Sequence, residues 1–537
     1  MNLSLYGFGP KAHRKWLMVD LGITFASEFD EPGVDVILPD IEFIEKDKRN
    51  LVGIVITHAH EDHFGGLIDL WPRLGAPLYM TPFAAGLLEA KLESEAGAPE
   101  IPIRRYTAGD RLNLEPFDVE AISVAHSIPE SVALAIRTAL GTVVHTGDWK
   151  IDPTPVVGWT TDLDRLTAIG SEGVRALICD STNVVRDGIS PSERDVAQSL
   201  TRIISEAPAR VAVTTFASNI ARVRSVAEAA HAAGRNVIVM GRAMRRAIDV
   251  ASELGMFDGL PDFLDEDAFS YLPRNKVVAL MTGSQGEQRA ALAKVALGDH
   301  RTIKLAKDDI VIFSSRTIPG NEKSVGAVVN GLAKQGARII SDRDALVHVS
   351  GHPRRGELIQ MYRAVQPQVA VPVHGEALHL SVHASFAREL GVPVVIEAVN
   401  GNVVRLAPGE PGIIEEVAVG RLFRDGKLVV RPDKSGVKER RKAGFAGVAV
   451  VSIILDEKGD QAVETDVVTI GIPEVDNRGV TFDDIAVDAV DNCLKSMPRA
   501  RRRDHDAVAD SVTRAVKAAI GERWGKKPIV EVLIAEV

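Results

Sequence analysis

The sequence predicts a layered α/β protein made of an interrupted first domain, a more regular α/β domain inserted within it, and a small α/β domain at the C-terminus. Three observations predict this. Residues 1–180 alternate short β-branched runs with helical patterns, and many of the runs end in a polar residue. From about residue 195 strand and helix alternate regularly, which implies a parallel sheet with helices on both faces. After about residue 345 the first pattern resumes, and residues 446–537 then read as a separate βααβ-like unit.

In the first part, strands are expected at 17–21, 53–57, 78–81, 119–124, 133–138, 142–146 and 176–180. Asp20, His58, His126, Asp148 and Asp180 stand at or just beyond their ends. Polar side chains gathered at strand ends are the pattern of a layered α/β site, built by loops at one sheet edge. The insert offers strands at 210–216, 236–240, 276–282 and 309–315, with helices at 219–233 and from Arg242. Beyond it, 348–353 reads as a strand end with a tight turn, and 368–373 runs into His374-Gly375-Glu376. In the last unit, 448–455 and 528–534 read as strands and 484–495 and 506–520 as helices. Arg499, Arg501, Arg502 and Arg503 lie between these helices.

Composition narrows the class. A chain of 537 residues is too long for one core, and 45% apolar with 25% charged residues is ordinary for globular domains. Two cysteines, Cys179 and Cys493, make no disulfide framework and suit a reducing cytosol. Residues 1–16 lack the apolar core of a signal peptide, and the most hydrophobic stretches, such as 447–455, are about half as long as a membrane helix. A soluble, cytoplasmic protein without a membrane partner is expected. The net charge of −10 argues on its face against nucleic acid. Only the local footprint meets phosphates, however, and metal ligands are counted among the acids, so composition leaves the partner open.

The stretch that organises the chain is Thr57-His58-Ala59-His60-Glu61-Asp62-His63, directly after an apolar run. Neutral imidazole and carboxylate are ligands for Zn²⁺. Four candidate ligands within six residues are too many for one tetrahedral ion, so two metals sharing a bridging ligand is the economical reading. The alternative, ordinary polar loop histidines, fits a lone His better than this cluster.

H-x-H-x-D-H after a strand resembles the signature of the metallo-β-lactamase superfamily. With Lys15-Trp16-Leu17-Met18-Val19-Asp20 before it and 57–66 around it, the chain resembles ribonuclease J, the bacterial branch of the β-CASP nucleases, over nearly its whole length. The resemblance implies a metallo-β-lactamase αββα sandwich at 1–195 and 346–415, a β-CASP domain at 196–345, a linker at 416–445, and a C-terminal α/β domain at 446–537 that supports self-association. It implies two Zn²⁺ per subunit. His58, His60 and His126 would hold one, Asp62, His63 and His374 the other, and Asp148 would bridge them. Mn²⁺ also suits such donors. Asp20 would brace the loop from outside the ligand shell. His352, oriented by Asp180, would protonate the leaving oxygen, and Asp62 belongs to the same catalytic group. His374, where a valine would go with DNA, points to RNA.

The resemblance further implies a 5′-to-3′ exoribonuclease of RNA maturation and decay. It would favour single-stranded RNA with a 5′-monophosphate, have some endonuclease activity, and leave 5′-phosphate and 3′-hydroxyl products. A homodimer or larger assembly, with partners in an RNA-decay complex, goes with it. His348, Val349, Ser350, Gly351 and His352, with Ser218 and Asn219, are the expected terminal-phosphate contacts. Polar loops at 214–219, 282–287 and 314–320 suit phosphate beside helix N-termini, although helix capping explains Ser218 and Asn219 equally well. Residues 415–445 carry nine Lys or Arg against five acids. A solvated linker is expected there, with RNA contact as the secondary reading. The family has a further strand and Gly-rich loop ahead of the segment that starts here at Met1, so an early strand near the metals is expected to be missing. A small-ester metallo-hydrolase would need neither the insert nor Asp180, His352 and His374. A silent RNA-binding scaffold would show degenerate ligands, and here every motif position is filled. A DNA-directed β-CASP nuclease is disfavoured by His374.

Overall fold

The structure, a computed structural model, describes residues 1–27 and 29–537. It comprises two compact units: Met1–Thr24 with Pro39–Gly420, and Phe25–Leu38 with Arg421–Val537.

The first unit contains an αββα sandwich. One sheet has five strands in the order Ser4–Phe8, Lys15–Val19, Leu51–Val55, Leu78–Met80, Ile103–Arg105. Only the first pairing is antiparallel. The other sheet has seven, from Val394–Val395 through Val369–Val373, Val174–Asp180, Gly141–His145, Val132–Thr138 and Phe117–Ser123 to Arg111–Leu114. Leu17, Val19 and Val55 of the first sheet meet Val119, Ala121, Leu134 and Ile136 of the second in one buried core. Helices Leu163–Glu172, Arg355–Val365 and Ala377–Glu389 cover the outer face of the seven-stranded sheet through Leu166, Ile169, Leu358, Met361 and Ala387. Strands buried on both faces read as continuous apolar runs, which is why Trp16-Leu17-Met18-Val19 and Ala176-Leu177-Ile178-Cys179 stand out in the sequence.

Between Asp180 and His352 the chain builds a second, wholly parallel sheet in the order Asn236–Met240, Val277–Met281, Val211–Thr214, Ile310–Phe313, Arg338–Ile340. Helix Ile220–Ala232 is anchored by Arg222, which is wholly buried. Its guanidinium donates to Glu193 Oε2 at 2.8 Å and to Val347 O at 2.8 Å, and also reaches Ser314. This buried ion pair ties the insert to the segment that returns toward His348.

In the second unit Val448–Leu455 lies between Asp466–Ile470 and Ile529–Glu536. Ala449, Val451, Ile453 and Leu455 alternate onto helices Phe482–Ser496 and His505–Trp524. Two local readings differ from expectation. The stretch expected to be a linker holds a hairpin, Arg421–Asp425 with Leu428–Val430, and a helix, Val437–Ala446. The βααβ unit gains the strand Asp466–Ile470 and the short helix Arg499–Arg502. The helices Val437–Ala446 and Arg499–Arg502 were hidden because their exposed faces carry charge, which erases the apolar period. Among the described residues no helix is long and apolar enough to cross a membrane.

Candidate metal centre

Six of the site's side chains end or follow a strand. Asp20 follows Lys15–Val19, His58 lies three residues past Leu51–Val55, and His126 three past Phe117–Ser123. Asp148 lies three past Gly141–His145, Asp180 ends Val174–Asp180, and His374 follows Val369–Val373. Asp20 and His374 adopt left-handed backbone, φ 63° and 55°. Non-glycine residues there cost about 1–3 kcal/mol and persist only where their surroundings fix them.

Three groups of donor atoms gather, each within 4.8 Å: His58, His60, His126 and Asp148; Asp62, His63, Asp148 and His374; Asp180, His352 and His374. Asp148 belongs to the first two. Its Oδ2 is 3.7 Å from both His58 Nε2 and His126 Nε2, and 3.2 Å from both His63 Nε2 and His374 Nε2. His60 Nδ1 stands 3.1 Å from His58 Nε2 and from His126 Nε2. His352 Nδ1 pairs with Asp180 Oδ2 at 2.7 Å and is 3.9 Å from Asp148.

The ring nitrogens turned away from the centre are held from outside. Asp20 Oδ2 accepts from His63 Nδ1 at 2.7 Å while its carboxylate also accepts from Thr57 N and Oγ1. Thr57 Oγ1 lies 3.0 Å from His58 Nδ1, and Gly351 O takes His126 Nδ1 at 2.7 Å. Such partners fix tautomer and ring orientation. Glycine is required where backbone meets this shell: a Cβ on Gly351 would stand 2.6 Å from the His126 ring, and one on Gly22 1.7 Å from Asp62 O.

The electrostatics suit cations. Burial, then His63, holds His58 well below the ordinary histidine value; burial alone dominates at His60, at about 4, and His126 is likewise lowered by burial and His60. These imidazoles are neutral, the state that ligates metal. Burial disfavours a charge on His63 and His374, but the carboxylates, Asp148 foremost, outweigh it and raise both. Burial would raise Asp148, yet His374, His63 and His352 hold it well below the usual carboxylate range. Asp62 is lowered to about 2, His63 and His374 outweighing burial. Two sets of neutral or displaceable imidazole nitrogens around ionised carboxylates fit a pair of divalent ions.

The expected phosphate contacts divide. Ser350 Oγ accepts from Asn183 Nδ2 at 2.9 Å and from His352 N at 3.3 Å, which leaves its own O–H to donate. Among the described residues His348 Nδ1 has no partner, and burial with Arg222 and Arg316 pushes its pKa to about 3. Val349 is buried. Asn219 is a helix cap: buried, it accepts from Arg222 N at 2.9 Å. Ser218 beside it is half-buried. Of the other histidines, His383 is structural, wedged between Ser181 Oγ and Tyr362 OH.

Sequence reasoning missed Asn2, Thr57 and Asn183. Asn2 Nδ2 donates to Asp62 Oδ2 at 3.0 Å and lies 2.9 Å from His63 Nε2, while its Oδ1 takes His374 Nδ1 at 2.9 Å. No motif or period marks such a residue. Only the sheet register brings it to a partner 372 positions away.

Known proteins share this arrangement. Family models match in sequence order: "Metallo-beta-lactamase superfamily" at residues 11–174, "Ribonuclease J, beta-CASP domain" at 208–332, "Zn-dependent metallo-hydrolase RNA specificity domain" at 336–397 and "Ribonuclease J C-terminal domain" at 435–537. Ribonuclease J of Sinorhizobium meliloti is 53% identical over 537 residues, covering 100% of this chain and 95% of that protein. Ribonuclease J of Mycolicibacterium smegmatis is 37% identical, with 97% and 93% covered. A solved structure of a protein of unknown function from Enterococcus faecalis V583 superposes with a TM-score of 0.51 at 15% identity, covering 74% of this chain and 94% of that one, and shares the fold.

Proposed function

Because the chain belongs to the ribonuclease J family of metallo-β-lactamase/β-CASP enzymes and is a metal-dependent ribonuclease, we propose that it degrades single-stranded RNA from the 5′ end, favouring a 5′-monophosphate, with some internal cleavage. The observation that carries this is the third donor group: a histidine, His352, backed by Asp180 beside the two metal sets.

In this reading His58, His60 and His126 would hold one cation and Asp62, His63 and His374 the second, with Asp148 available to both. Zn²⁺ is the proposed metal, and Mn²⁺ suits the same donors. Two bound cations would supply Lewis acidity and a water acidic enough to ionise near neutral pH. The chain's own groups do the rest. Asp62, whose side chain is 37% exposed, is the most open carboxylate of the metal sets and receives the proton of the attacking water. His352, its Nδ1 held by Asp180, presents Nε2 to the leaving 3′-oxygen and gives it a proton as the P–O bond breaks. A 5′-phosphate and a 3′-hydroxyl result. The Ser350 hydroxyl, the backbone from Val349 to His352, His348 and Ser218 would line the path of the terminal phosphate, with Asn219 capping the helix beside it.

Self-association is proposed through the second unit. On the sheet face away from its helices, Val448 pairs with Ile470, Val450 with Val468 and Ser452 with Leu533. Ile470, Val468 and Leu533 are 61%, 52% and 60% exposed, an apolar strip that a second copy would cover. Val468→Lys should halve the mass seen by sedimentation.

The activity is tested with uniformly labelled RNA bearing a 5′-monophosphate or a 5′-triphosphate, with and without chelator. Chelator-sensitive release of mononucleotides, faster from the monophosphate, is the expected outcome. Equal rates from both ends would remove the end preference, and Ser350→Ala with the preference intact would remove the pocket.

A further inference from the structure

Helix Val437–Ala446 buries Val437 and Ala446 and turns a different face to solvent. Lys438, Arg441, Lys442 and Phe445 recur at the spacing i, i+3, i+4, i+7, which places them on one face. All four are exposed. Lys438, Arg441 and Lys442 have no acidic partner among the described residues. Arg440, off this face, is taken by Asp425 and reaches Pro32 O.

Phe445 stands 67% exposed at the end of this stripe. Lys526 Nζ sits 4.4 Å from its ring centroid and 5.0 Å from that of Trp524. It also donates to Phe445 O at 3.0 Å. A cation on the last carbonyls of a helix is ordinary capping, and that accounts for Lys526. It does not account for a large ring left in water with one π face braced by a cation and most of its surface open.

We propose that this face is a second contact for single-stranded RNA, remote from the metal centre in sequence and built on the other unit. Phe445 stacks on a base, and Lys438, Arg441 and Lys442 take phosphates. The inference rests on the ribonuclease reading above. Charge complementarity selects the occupant: the chain carries −10 overall, so an unpaired basic stripe is a local departure of the kind that marks a nucleic-acid footprint. An aromatic platform beside cations is how single strands are held without sequence preference. The contact serves long substrates, because a strand held at one point is presented to the metal centre at a raised effective concentration.

The test uses the metal-loaded full-length chain and two 5′-monophosphorylated RNAs, one of about four nucleotides and one of about thirty. Lys438→Gln/Arg441→Gln/Lys442→Gln should raise KM for the long RNA about tenfold and flatten its dependence on log salt by about 2, since each single-strand phosphate contact contributes about 0.7. Phe445→Ala should raise that KM by about tenfold, and Phe445→Tyr, which keeps the stacking face, should restore it. Hydrolysis of the short RNA should be unchanged in all three. If the wild-type chain fails to cleave the short RNA, the ribonuclease reading falls. If it cleaves the short RNA while the variants leave the long RNA's KM and salt dependence unaltered, this inference falls. A fall in sedimenting mass without a change in KM would overturn it too, and would make the face an interface between copies.

Discussion

Replacing Asp180 by Asn tests the proposed proton path while keeping the volume of the site. Asp180 is wholly buried. Its Oδ1 accepts from Thr182 N at 2.8 Å and Thr182 Oγ1 at 2.7 Å, and its Oδ2 lies 2.7 Å from His352 Nδ1. An Asn must keep its oxygen on the two Thr182 donors, so its Nδ2 faces His352 Nδ1 and donates to it. The imidazole then holds its one proton on Nε2 and has no acceptor to stabilise a second. Burial disfavours the charged ring, yet Asp180 and then Asp148 raise its pKa from 6.5 to about 9. At about 1.36 kcal/mol per unit, that rise corresponds to about 3 kcal/mol favouring the protonated donor. Cations at the centre would lower the pKa again without changing the sign of Asp180's share. The expected fall in kcat at pH 7 is about 10²-fold, at the lower end of the 10²–10⁴ typical of general acid catalysis. It should be larger at pH 8–9, where the weakened acid is deprotonated. Single-turnover cleavage of 5′-monophosphate RNA between pH 6 and 9, with metal content checked by mass spectrometry, is the assay. Turnover within about threefold of wild type across that range would refute His352 and Asp180 as the proton-donating pair.

Three further outcomes follow from the contacts. Asp20→Ala removes the carboxylate that orients His63 and receives Thr57, and should weaken metal binding about 10–100-fold in a chelator competition. Arg222→Met leaves Glu193 buried without its cation. The expected cost is about 3–5 kcal/mol, read as lost amide-exchange protection of Ile220–Ala232, and Arg222→Met with Glu193→Leu should recover most of it. Glu120, held to about 2 by hydrogen bonds from Arg165 and Arg137 that outweigh its burial, stabilises the fold above the ordinary glutamate pKa and loses that contribution as pH falls toward 2. Glu120→Gln should therefore lower Tm at pH 7, and the gap from wild type should narrow as both are taken below pH 4.5.

What the sequence shows of the site depends on how local each signal is. His58, His60, Asp62 and His63 are legible because one turn carries them all. His126, Asp148, Asp180, His352 and His374 are each a single polar residue at a strand end, and only the family resemblance singles them out. Asn2 and Asn183 carry no local signal, because their partners are supplied by pairings between distant strands. Fold follows the same rule. The doubly buried strands of both sheets stand out as apolar runs, whereas 416–445 reads as a linker because a charged hairpin and a basic helix have little apolar period. Nor does anything in 25–38 announce that it joins the second unit, which depends on contacts such as Asp35 N to Arg424 O at 2.9 Å.

The centre's organisation explains why its residues are spread over more than 370 positions. Of the six imidazoles, His58, His63, His126, His352 and His374 each have Nδ1 engaged, by Thr57, Asp20, Gly351, Asp180 and Asn2 respectively. Each therefore presents Nε2 inward, with its tautomer and angle set before any cation or substrate arrives. His60 is the exception: it turns Nδ1 inward, and its Nε2 has no partner among the described residues. The orienting groups for His126 and His374 come from the far side of the insertion, Gly351 for one ring and Asn2 for the other. Neither half of the interrupted sandwich positions all of its own ligands, so the full geometry exists only when the chain on both sides of the insert is folded together. The Arg222 anchor makes the insert part of that condition, because its donor to Val347 O fixes the start of the loop that carries His348, Ser350 and His352. An insertion that only added RNA-binding surface would need no buried ion pair at this point; one that also sets the aim of His352 does.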